Sequence, residues 1–243
     1  MRRRKKWKRL LAAVFLIAVC AAGWMIKEGY DMYREAVAKV SIEEKFEEVR
    51  GKEHYTTLDQ LPKLYLDAVI AVEDHRFYRH PGIDPIAILR AAFNDIRAGA
   101  YVEGGSTITQ QLAKNLWFTQ DKVITRKIAE VFMAFAFESR YSKEEILETY
   151  LNAIYFGNGY YCVEDAARGY FGKAPSDMTD YESTLLAGIP NAPSVYALTV
   201  SPNLAEQRQR QVLKKMIRWK YLTEEEAWEI LEEKEKDEES GPL

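Results

Sequence analysis

Hydrophobic residues follow two different patterns along the chain. Residues 10–26 form an unbroken run of seventeen uncharged, mostly apolar residues, which is the short end of the length that spans a membrane as a helix. From residue 58 onward, apolar residues recur every three or four positions between polar ones, as on one face of an α-helix. The pattern predicts one membrane helix followed by a mostly helical domain.

Short polar motifs indicate where these helices begin. Asp84-Pro85 combines an N-cap residue with proline at the first helical position. Ser106 is a candidate cap for a helix over residues 107–116, and Ser142 begins a capping box. Further helices are predicted over residues 122–139, from Ser142 to near Gly157, after the boxes that begin at Thr179 and Thr223, and over residues 203–221.

The order of these patterns divides the chain into five segments. No run of alternating apolar and polar residues indicates β-strands, so the predicted fold class is mostly α. The predicted segments are a basic cytoplasmic segment over 1–9, a transmembrane signal-anchor over 10–26, a partly helical stalk over 27–57, one compact domain over 58–222 and an acidic, solvated tail over 223–243.

Charge around the apolar run favours a signal-anchor. Seven Lys and Arg residues lie among residues 2–9, and Trp7 and Trp24 bracket the run as interfacial anchors do. A cleaved signal peptide is the main alternative, because residues 18–22 are mostly small. A lipid-modified Cys20 is a weaker alternative, because the preceding residue is large. Each alternative exports the domain that follows.

Charge and composition exclude some kinds of partner and site. The formal net charge of −3 combines the basic start with ten acidic residues among residues 224–239, so the middle of the chain is close to neutral. No nucleic-acid partner is expected. Three His and two Cys residues, Cys20 and Cys162, do not provide a zinc site of the usual spacing. A disulfide is not expected, since Cys20 lies in the apolar run.

Two adjacent carboxylates, Glu73 and Asp74, follow an apolar run over residues 66–72. Burial and a neighbouring negative charge both raise the pKa of a carboxyl group, which makes it a better proton acceptor near neutral pH. Taken alone, the pair is equally well explained as a solvated helix end. Phe77 and His80 follow in the same segment, and we expect His80 to pack within its loop rather than carry protons.

A polar segment that follows two glycines has the features of an anion site. Gly104-Gly105-Ser106 opens a helix, where free backbone N–H groups and the helix dipole attract negative charge. Amide and ammonium donors follow at Gln110, Gln111, Lys114 and Asn115. Arg126, Lys127 and Glu130 share a face of the next helix, where alone they would be explained as a surface ion pair.

Together these segments resemble the peptidoglycan glycosyltransferases, glycosyltransferase family 51, over about residues 58–222. Five blocks occur in the order found in that family. They are Glu-Asp-x-x-Phe-x-x-His-x-Gly at 73–82, Gly-Gly-Ser-Thr-Ile-Thr-Gln-Gln-x-x-Lys-Asn at 104–115, Arg-Lys-x-x-Glu at 126–130, Tyr-Leu-Asn-x-Ile-Tyr-Phe-Gly at 150–157 with Ala-Ala-x-x-Tyr-Phe-Gly at 166–172, and Leu-Leu-Ala-Gly-Ile-Pro at 185–190 with Ala-Pro-Ser at 192–194. The chain ends soon afterwards, which predicts the monofunctional type without a transpeptidase domain.

The resemblance implies a fold and a reaction. The expected fold is a lysozyme-like catalytic lobe with a smaller membrane-associated lobe around residues 84–125. In the expected reaction, the 4-hydroxyl of lipid II attacks the anomeric carbon of the growing chain. That chain is linked to a polyprenyl lipid through a pyrophosphate, and the product is a β-1,4-linked glycan strand.

The resemblance also implies roles for individual residues. Glu73 is expected to be the catalytic base and Asp74 to orient it, while Glu130 is expected to act near the phosphates. A divalent cation, Mg or Mn, is the expected cofactor, with Glu130 as its candidate ligand. The expected substrate-binding residues are Asp74, Phe77, His80, Ser106, Thr107, Gln110, Gln111, Lys114, Asn115, Lys122, Arg126 and Lys127, of which Lys114, Arg126 and Lys127, with Lys122 as a weaker candidate, would hold the pyrophosphate.

The same resemblance implies partners and a location. Lipid II, the growing glycan and membrane lipids are the expected partners, with cell-wall transpeptidases as candidate protein partners. The expected location is the cell membrane, crossed once, with the catalytic domain on the extracytoplasmic side. One departure from the family pattern is Tyr160-Tyr161-Cys162, where many relatives have smaller residues, and this could reshape the acceptor side.

Two other functions remain as alternatives. A lytic muramidase would use paired acids on the same glycan, but a hydrolase has no pyrophosphate for the cations to hold. A non-catalytic, membrane-anchored wall scaffold would not need both glutamates. Labelled lipid II and purified sacculi would separate the three hypotheses, because each predicts a different product.

Overall fold

The computed structural model describes residues 2–100, 104–118 and 124–239. Those residues form α-helices and short 3₁₀ turns without a β-strand, which confirms the predicted helical class. The helices are α1 (Arg2–Lys39), α2 (Ile42–Arg50), α3 (Lys63–Glu73), α4 (Pro85–Ala98), α5 (Ile108–Trp117), α6 (Ile124–Glu138), α7 (Lys143–Leu151), α8 (Val163–Phe171), α9 (Asp180–Gly188), α10 (Pro193–Tyr196), α11 (Pro202–Arg218) and α12 (Glu224–Glu239).

The N-terminal helix is longer than the apolar run that predicted it. The stretch Trp7–Lys39 of α1 is long and apolar enough to cross a membrane, and its apolar side chains are exposed over residues 10–19. The helix continues without a break beyond residue 26 and packs on α6, where Tyr30 lies edge-on to Phe132 with ring centroids 5.1 Å apart. The membrane-length apolar stretch and the contact with α6 therefore lie on one continuous helix.

Residues 27–57, which the sequence suggested were a stalk, are packed against the domain. Ile42 and Phe46 of α2 belong to the hydrophobic core, and Phe46 stacks on Tyr141 with ring centroids 3.9 Å apart. This packing was not apparent from the sequence pattern. Only three of the nine residues in α2 are buried, and charged residues lie between them. The segment thus stabilises the domain rather than merely connecting it.

Local capping motifs fix the helix starts. Asp84 accepts hydrogen bonds from the N–H groups of Ile86 and Ala87 at the start of α4, and the box beginning at Ser142 is formed. The cap of α5 is Thr107, not Ser106 as the sequence suggested, because the Thr107 hydroxyl accepts the Gln110 N–H. Helix α7 ends at Leu151, six residues before the predicted stop.

The acidic C-terminal segment is only partly solvated. Ala227 and Ile230 of α12 are buried in the core, and the Glu233 carboxylate accepts the Tyr181 N–H at 2.8 Å. The predicted solvated tail therefore corresponds, in its first half, to a helix packed on α9. The packing of α12 could not be predicted from the sequence, because few apolar residues lie among its acidic ones.

Helix α4 presents an apolar face to solvent. The exposed side chains are Ile86, Ile88, Leu89, Phe93 and Ile96. A contiguous exposed apolar face of this kind marks a contact with another protein or a membrane.

Candidate active site

The two adjacent carboxylates at the end of α3, Glu73 and Asp74, lie in different surroundings. The helix ends at Glu73, and Asp74 leaves the helical conformation with φ −156° and ψ 72°. The Asp74 carboxylate is buried, lies 2.9 Å from His80 Nε2, and accepts the Ile108 N–H at 3.1 Å. Because the Gly82 N–H donates to His80 Nδ1, the Nε2 atom carries the proton that Asp74 accepts. Asp74 therefore fastens the loop after α3 to the start of α5.

Glu73 is held through only one of its oxygens. Gln111 Nε2 donates to Glu73 Oε2 at 2.7 Å, while the Tyr150 hydroxyl lies 3.3 Å from Gln111 Oε1. These two contacts orient the Gln111 amide, because its oxygen faces a donor and its nitrogen faces an acceptor. Glu73 Oε1 is buried and accepts no hydrogen bond from the residues that the structure describes. Among the oxygens of Glu73 and Asp74, it is therefore the one to which no described donor is hydrogen-bonded.

A cleft of about 720 Å³ opens in front of Glu73. Four of the predicted site residues line it: Glu73, Ser106, Gln111 and Lys114. The pKa of Lys114 is lowered from its ordinary value, chiefly by burial, although Glu130 and Glu73 act in the opposite direction. Burial of an ammonium group in a cleft leaves it poorly solvated, which strengthens its attraction for an anionic ligand.

A cationic group from α6 adjoins the cleft through Ser106. Lys127 Nζ donates to Ser106 Oγ and to Glu130 Oε2, each at 2.7 Å. Arg126 Nε lies 3.0 Å from Glu130 Oε1. Glu130 is 1% exposed, so its buried charge is compensated by two cations. Glu130 holds Arg126 and Lys127 in position, and together with Lys114 these residues form what we call the first cationic group.

The described residues do not form a site that fits a divalent cation by themselves. They contain no cluster of three or more His, Cys, Asp and Glu side chains that could hold a metal ion. Both oxygens of Glu130, the candidate ligand, already face cations. Hard divalent cations prefer several oxygen ligands, and Glu130 by itself does not provide them.

Five of the expected substrate-binding residues lie within the protein instead of lining the cleft. Asp74 and His80 bind each other, and Phe77 is fully buried beneath Lys143, whose Nζ is 4.4 Å from the ring centroid. Thr107 and Gln110 are also buried, and they cap α5 reciprocally. Their sequence pattern therefore reflects the packing behind the cleft, because Asp74 binds the start of α5 and Thr107 and Gln110 cap that helix, which carries Gln111 and Lys114.

Two further residues were expected to bind substrate, Asn115 and Lys122, and neither is found among the described residues that line the cleft. Asn115 is partly buried and is not among the residues that line the cleft. Lys122 lies outside the residues that the structure describes.

The unusual segment Tyr160-Tyr161-Cys162 has a structural role that does not involve this cleft. Tyr160 covers Gly169 so closely that a Cβ atom there would lie 2.1 Å from the tyrosine ring. The Cys162 sulfur accepts the Asp165 N–H as the cap of α8, and burial raises the pKa of its thiol to about 11. None of the three residues lines the described cleft, so the expected change to the acceptor side is not found there.

Several cleft residues come from segments that sequence reasoning did not select. His75 follows the two carboxylates, Arg90 lies on α4, and Arg208, Lys215 and Arg218 lie on α11. Helix α11 was predicted only as an amphipathic helix. The concentration of basic residues on its polar face was the available signal, but a solvated surface explained that face equally well.

The fold and site together define a class of protein. A helical domain continuous with a membrane-length helix, and a cleft with one carboxylate among several cations, suit an enzyme that accepts a proton and binds an anionic, lipid-linked ligand. The chain belongs to the transglycosylase family, since the family model described as Transglycosylase matches residues 40–217. This confirms the family that the five sequence blocks indicated.

Known relatives agree with this assignment. The chain is 42% identical to penicillin-binding protein 1A of Aquifex aeolicus over 204 residues, covering 84% of this chain and 27% of that protein. It is 46% identical to penicillin-binding protein 1F of Bacillus subtilis over 171 residues, covering 70% and 24%. A crystal structure of penicillin-binding protein 1A from Haemophilus influenzae matches with a TM-score of 0.44 at 25% identity, covering 73% of this chain and 17% of that one. The chain thus spans about a quarter of the length of these curated relatives.

Proposed function

We propose that this protein polymerises the glycan strands of peptidoglycan. In each step the growing chain, linked through a pyrophosphate to a polyprenyl lipid, is transferred to the 4-hydroxyl of lipid II. The acceptor oxygen forms a β-1,4 bond to the anomeric carbon, the bond from that carbon to the pyrophosphate breaks, and the hydroxyl proton goes to a base. Family membership supports the reaction class.

The observation that carries the proposal is the position of Glu73. Its Oε2 atom is fixed by Gln111, whereas its Oε1 atom is buried without a hydrogen-bond donor among the described residues. A carboxylate oxygen that is positioned but unpaired can accept the proton of an incoming hydroxyl. Glu73 is therefore the base in this proposal, and Asp74 supports the loop that follows it.

The first cationic group supplies the other requirement of the reaction. The leaving pyrophosphate gains negative charge as its bond to the sugar breaks, and fixed cations stabilise that charge. Lys114 lines the cleft, and Lys127 reaches its edge by way of Ser106. Glu130 acts in this proposal by orienting Arg126 and Lys127. A divalent cation could enter only with the pyrophosphate oxygens as additional ligands, and its involvement stays a prediction.

The membrane-facing features support a lipid-linked substrate. Helix α1 is long enough to cross a membrane, and the exposed apolar residues of α4 would contact the bilayer surface. The basic residues that precede the apolar run favour a cytoplasmic N-terminus and an extracytoplasmic domain. A transpeptidase is the class of enzyme that would consume the polymer by cross-linking it.

The proposal is tested with the full-length protein, labelled lipid II and, separately, purified sacculi. We expect lipid II to be converted to polymer and sacculi to be left intact. Glu73→Gln should lower polymerisation by about a hundredfold to ten-thousandfold, because a general base contributes about 10²–10⁴-fold, while the thermal unfolding temperature is retained. Asp67→Asn is the control, since Asp67 lies on the same helix in a surface ion pair with Lys63. Soluble fragments from sacculi would indicate a muramidase, and full activity of Glu73→Gln would remove Glu73 as the base.

A further inference from the structure

A second set of cations lines the cleft on helices other than those that carry the first cationic group. Its members, which we call the second cationic group, are Arg90 on α4 and Arg208, Lys215 and Arg218 on α11. With Lys114, they give five Arg and Lys side chains among the described lining residues, against one carboxylate, that of Glu73. A lining with this excess of cations suits a polyanionic ligand, because the lining gives the cleft a positive potential.

An aromatic pair holds two of these cations in place. Trp219 stacks on His75 with ring centroids 3.7 Å apart and an interplanar angle of 11°. The guanidinium carbon of Arg218 lies 4.9 Å from the Trp219 ring centroid, and that of Arg90 lies 6.0 Å from it. Cation–π attraction offsets part of the repulsion between the two guanidinium groups. The site is therefore built around the indole of Trp219.

The imidazole of His75 adds no positive charge at neutral pH. Its pKa is lowered to about 4, first by burial and then by the positive charge of Arg90. Asp74 and Asp84 act in the opposite direction, and Arg76 acts with Arg90. A neutral ring can lie against the indole without repelling the arginines, so the binding charge resides in the guanidinium and ammonium groups.

One member of the second cationic group contacts the backbone next to the proposed base. Lys215 Nζ donates to the carbonyl oxygen of Val72 at 2.7 Å, and Val72 immediately precedes Glu73. Arg208 donates to Gln211 at 3.0 Å and lies 5.9 Å from the ring centroid of Tyr196. A ligand bound by these residues would therefore share the cleft with Glu73.

The proposed polymerisation brings two pyrophosphates into the cleft in each step. One belongs to the growing chain and leaves, and the other belongs to the incoming lipid II and is retained by the product. The first cationic group accounts for one of them. We propose that the second cationic group, Arg90, Arg208, Lys215 and Arg218 arranged around Trp219, binds the pyrophosphate that the acceptor retains. This inference rests on the proposed function and assigns a substrate group to these residues.

The test separates the two substrates chemically. Lipid II from which the 4-hydroxyl has been removed can donate its sugar but cannot accept one. When this analogue carries the label, the lipid-linked tetrasaccharide that forms reports a single transfer to unlabelled lipid II. Varying each substrate while the other is saturating gives separate KM values. The assay uses the full-length protein in neutral detergent micelles, which contain no anionic lipid headgroup.

We expect Arg218→Gln to raise the acceptor KM about tenfold, because it removes one charge-assisted contact to phosphate. The donor KM should stay within about twofold, and Arg90→Gln combined with Arg218→Gln should raise the acceptor KM further. Arg218→Lys should restore most of the affinity because the charge is kept. Arg210→Gln is the matched control, since it removes the same charge from an exposed position of α11 that does not line the cleft.

Four results would overturn the inference. A rise in the donor KM alone would assign the group to the leaving pyrophosphate. Unchanged KM values in micelles, with a loss seen only on vesicles that contain anionic phospholipid, would assign it to lipid headgroups. Wild-type protein that forms no tetrasaccharide would refute the proposed function and this inference with it, whereas active wild type with unaffected variants would refute only the inference. Unfolding temperatures of all variants exclude loss of folding as the cause.

Discussion

Two adjacent carboxylates have different roles because the chain changes direction between them. Asp74 is buried and bound to His80 and to the N–H of Ile108, so its charge stabilises the loop and the positive end of α5. Glu73 lines the cleft and keeps one oxygen unpaired among the described residues. The sequence could indicate that the pair was unusual, but the division of roles depends on Gln111 and His80, which the fold brings to opposite members of the pair.

Lys114 provides a prediction at the residue scale about pH dependence. Burial lowers the pKa of its ammonium group, so this cation loses its charge at a lower pH than an ordinary lysine. As pH rises through the lowered pKa of Lys114, the proposed binding of pyrophosphate should weaken and kcat/KM for lipid II should fall. The fall in kcat/KM at high pH is the alkaline limb of the pH profile. Arginine stays protonated at pH values where lysine does not, so Lys114→Arg should remove this limb from the measurable range. Activity of Lys114→Arg at neutral pH should stay within about tenfold of the wild type.

The measurement is the pH profile of kcat/KM, which reports ionisation in the free enzyme. Lys63→Arg is the control, because Lys63 is exposed and lies in a surface ion pair with Asp67. That variant should retain the wild-type limb. An unchanged limb in Lys114→Arg would mean that another group sets the alkaline dependence.

At the scale of elements, helix starts were predictable from the sequence and helix packing was not. Asp84 and Ser142 cap the helices that the sequence assigned to them, because an N-cap or a capping box needs only four consecutive residues. Ser106 was assigned as a cap but contacts Lys127, twenty-one residues away, and Thr107 caps α5 instead. Local chemistry allowed either choice, and only the tertiary contact decides between them. The packing of α2 and α12 and the cleft face of α11 escaped prediction for the same reason.

The end of α11 contains a residue under backbone strain. Lys220 has φ +64°, and it occupies the C′ position of a Schellman motif in which the Tyr221 N–H donates to Met216 O and the Lys220 N–H donates to Ile217 O. Glycine adopts this conformation without the steric penalty of a Cβ atom. Lys220→Gly should therefore raise the free energy of unfolding by about 0.5–1 kcal/mol.

Thermal and denaturant unfolding of the full chain in detergent measure this effect. Lys214→Gly is the matched control, because it makes the same replacement at an exposed site inside α11. There, glycine should lower the free energy of unfolding by about 1 kcal/mol. Destabilisation by both replacements would show that Lys220 is not strained.

The contact between α1 and α6 leads to a prediction about a single glycine. A Cβ atom at Gly29 would lie 2.6 Å from Ile128 Cβ and 2.9 Å from the Thr125 carbonyl oxygen. These residues flank Arg126 and Lys127 on α6. Gly29→Leu should displace α6 from α1 and lower polymerisation about tenfold, since small misplacements of binding groups cost up to about a hundredfold.

Gly23→Leu is a matched control on the same helix, because nothing lies within 4 Å of a Cβ atom built there. We expect Gly23→Leu to retain wild-type kcat/KM for lipid II. Equal activity of the two variants would show that the packing of α1 on α6 does not position the first cationic group.

At the scale of the whole molecule, one helix relates the cleft to the membrane. Arg90 and Asn94 of α4 line the cleft, while Leu89 and Phe93 on the same helix are exposed and apolar. If the apolar face lies in the bilayer surface, the cleft opens at the level of the lipid phosphates. A polyprenyl chain can then stay in the membrane while its pyrophosphate and sugars enter the cleft.

This arrangement predicts that the apolar face matters only when the substrate has a long lipid. Leu89→Ser combined with Phe93→Ser should raise the KM for full-length lipid II in vesicles about tenfold, or about 1.4 kcal/mol, because the two serines remove apolar contact with the bilayer surface. The KM for a water-soluble analogue with a shortened prenyl chain should stay within about twofold, since that substrate reaches the cleft from solution. Trp228→Ser is the control, as Trp228 is equally exposed but lies on α12, away from the cleft lining. A similar loss with both substrates would mean that the two serines disturb Arg90 and Asn94, and that the face does not guide the lipid.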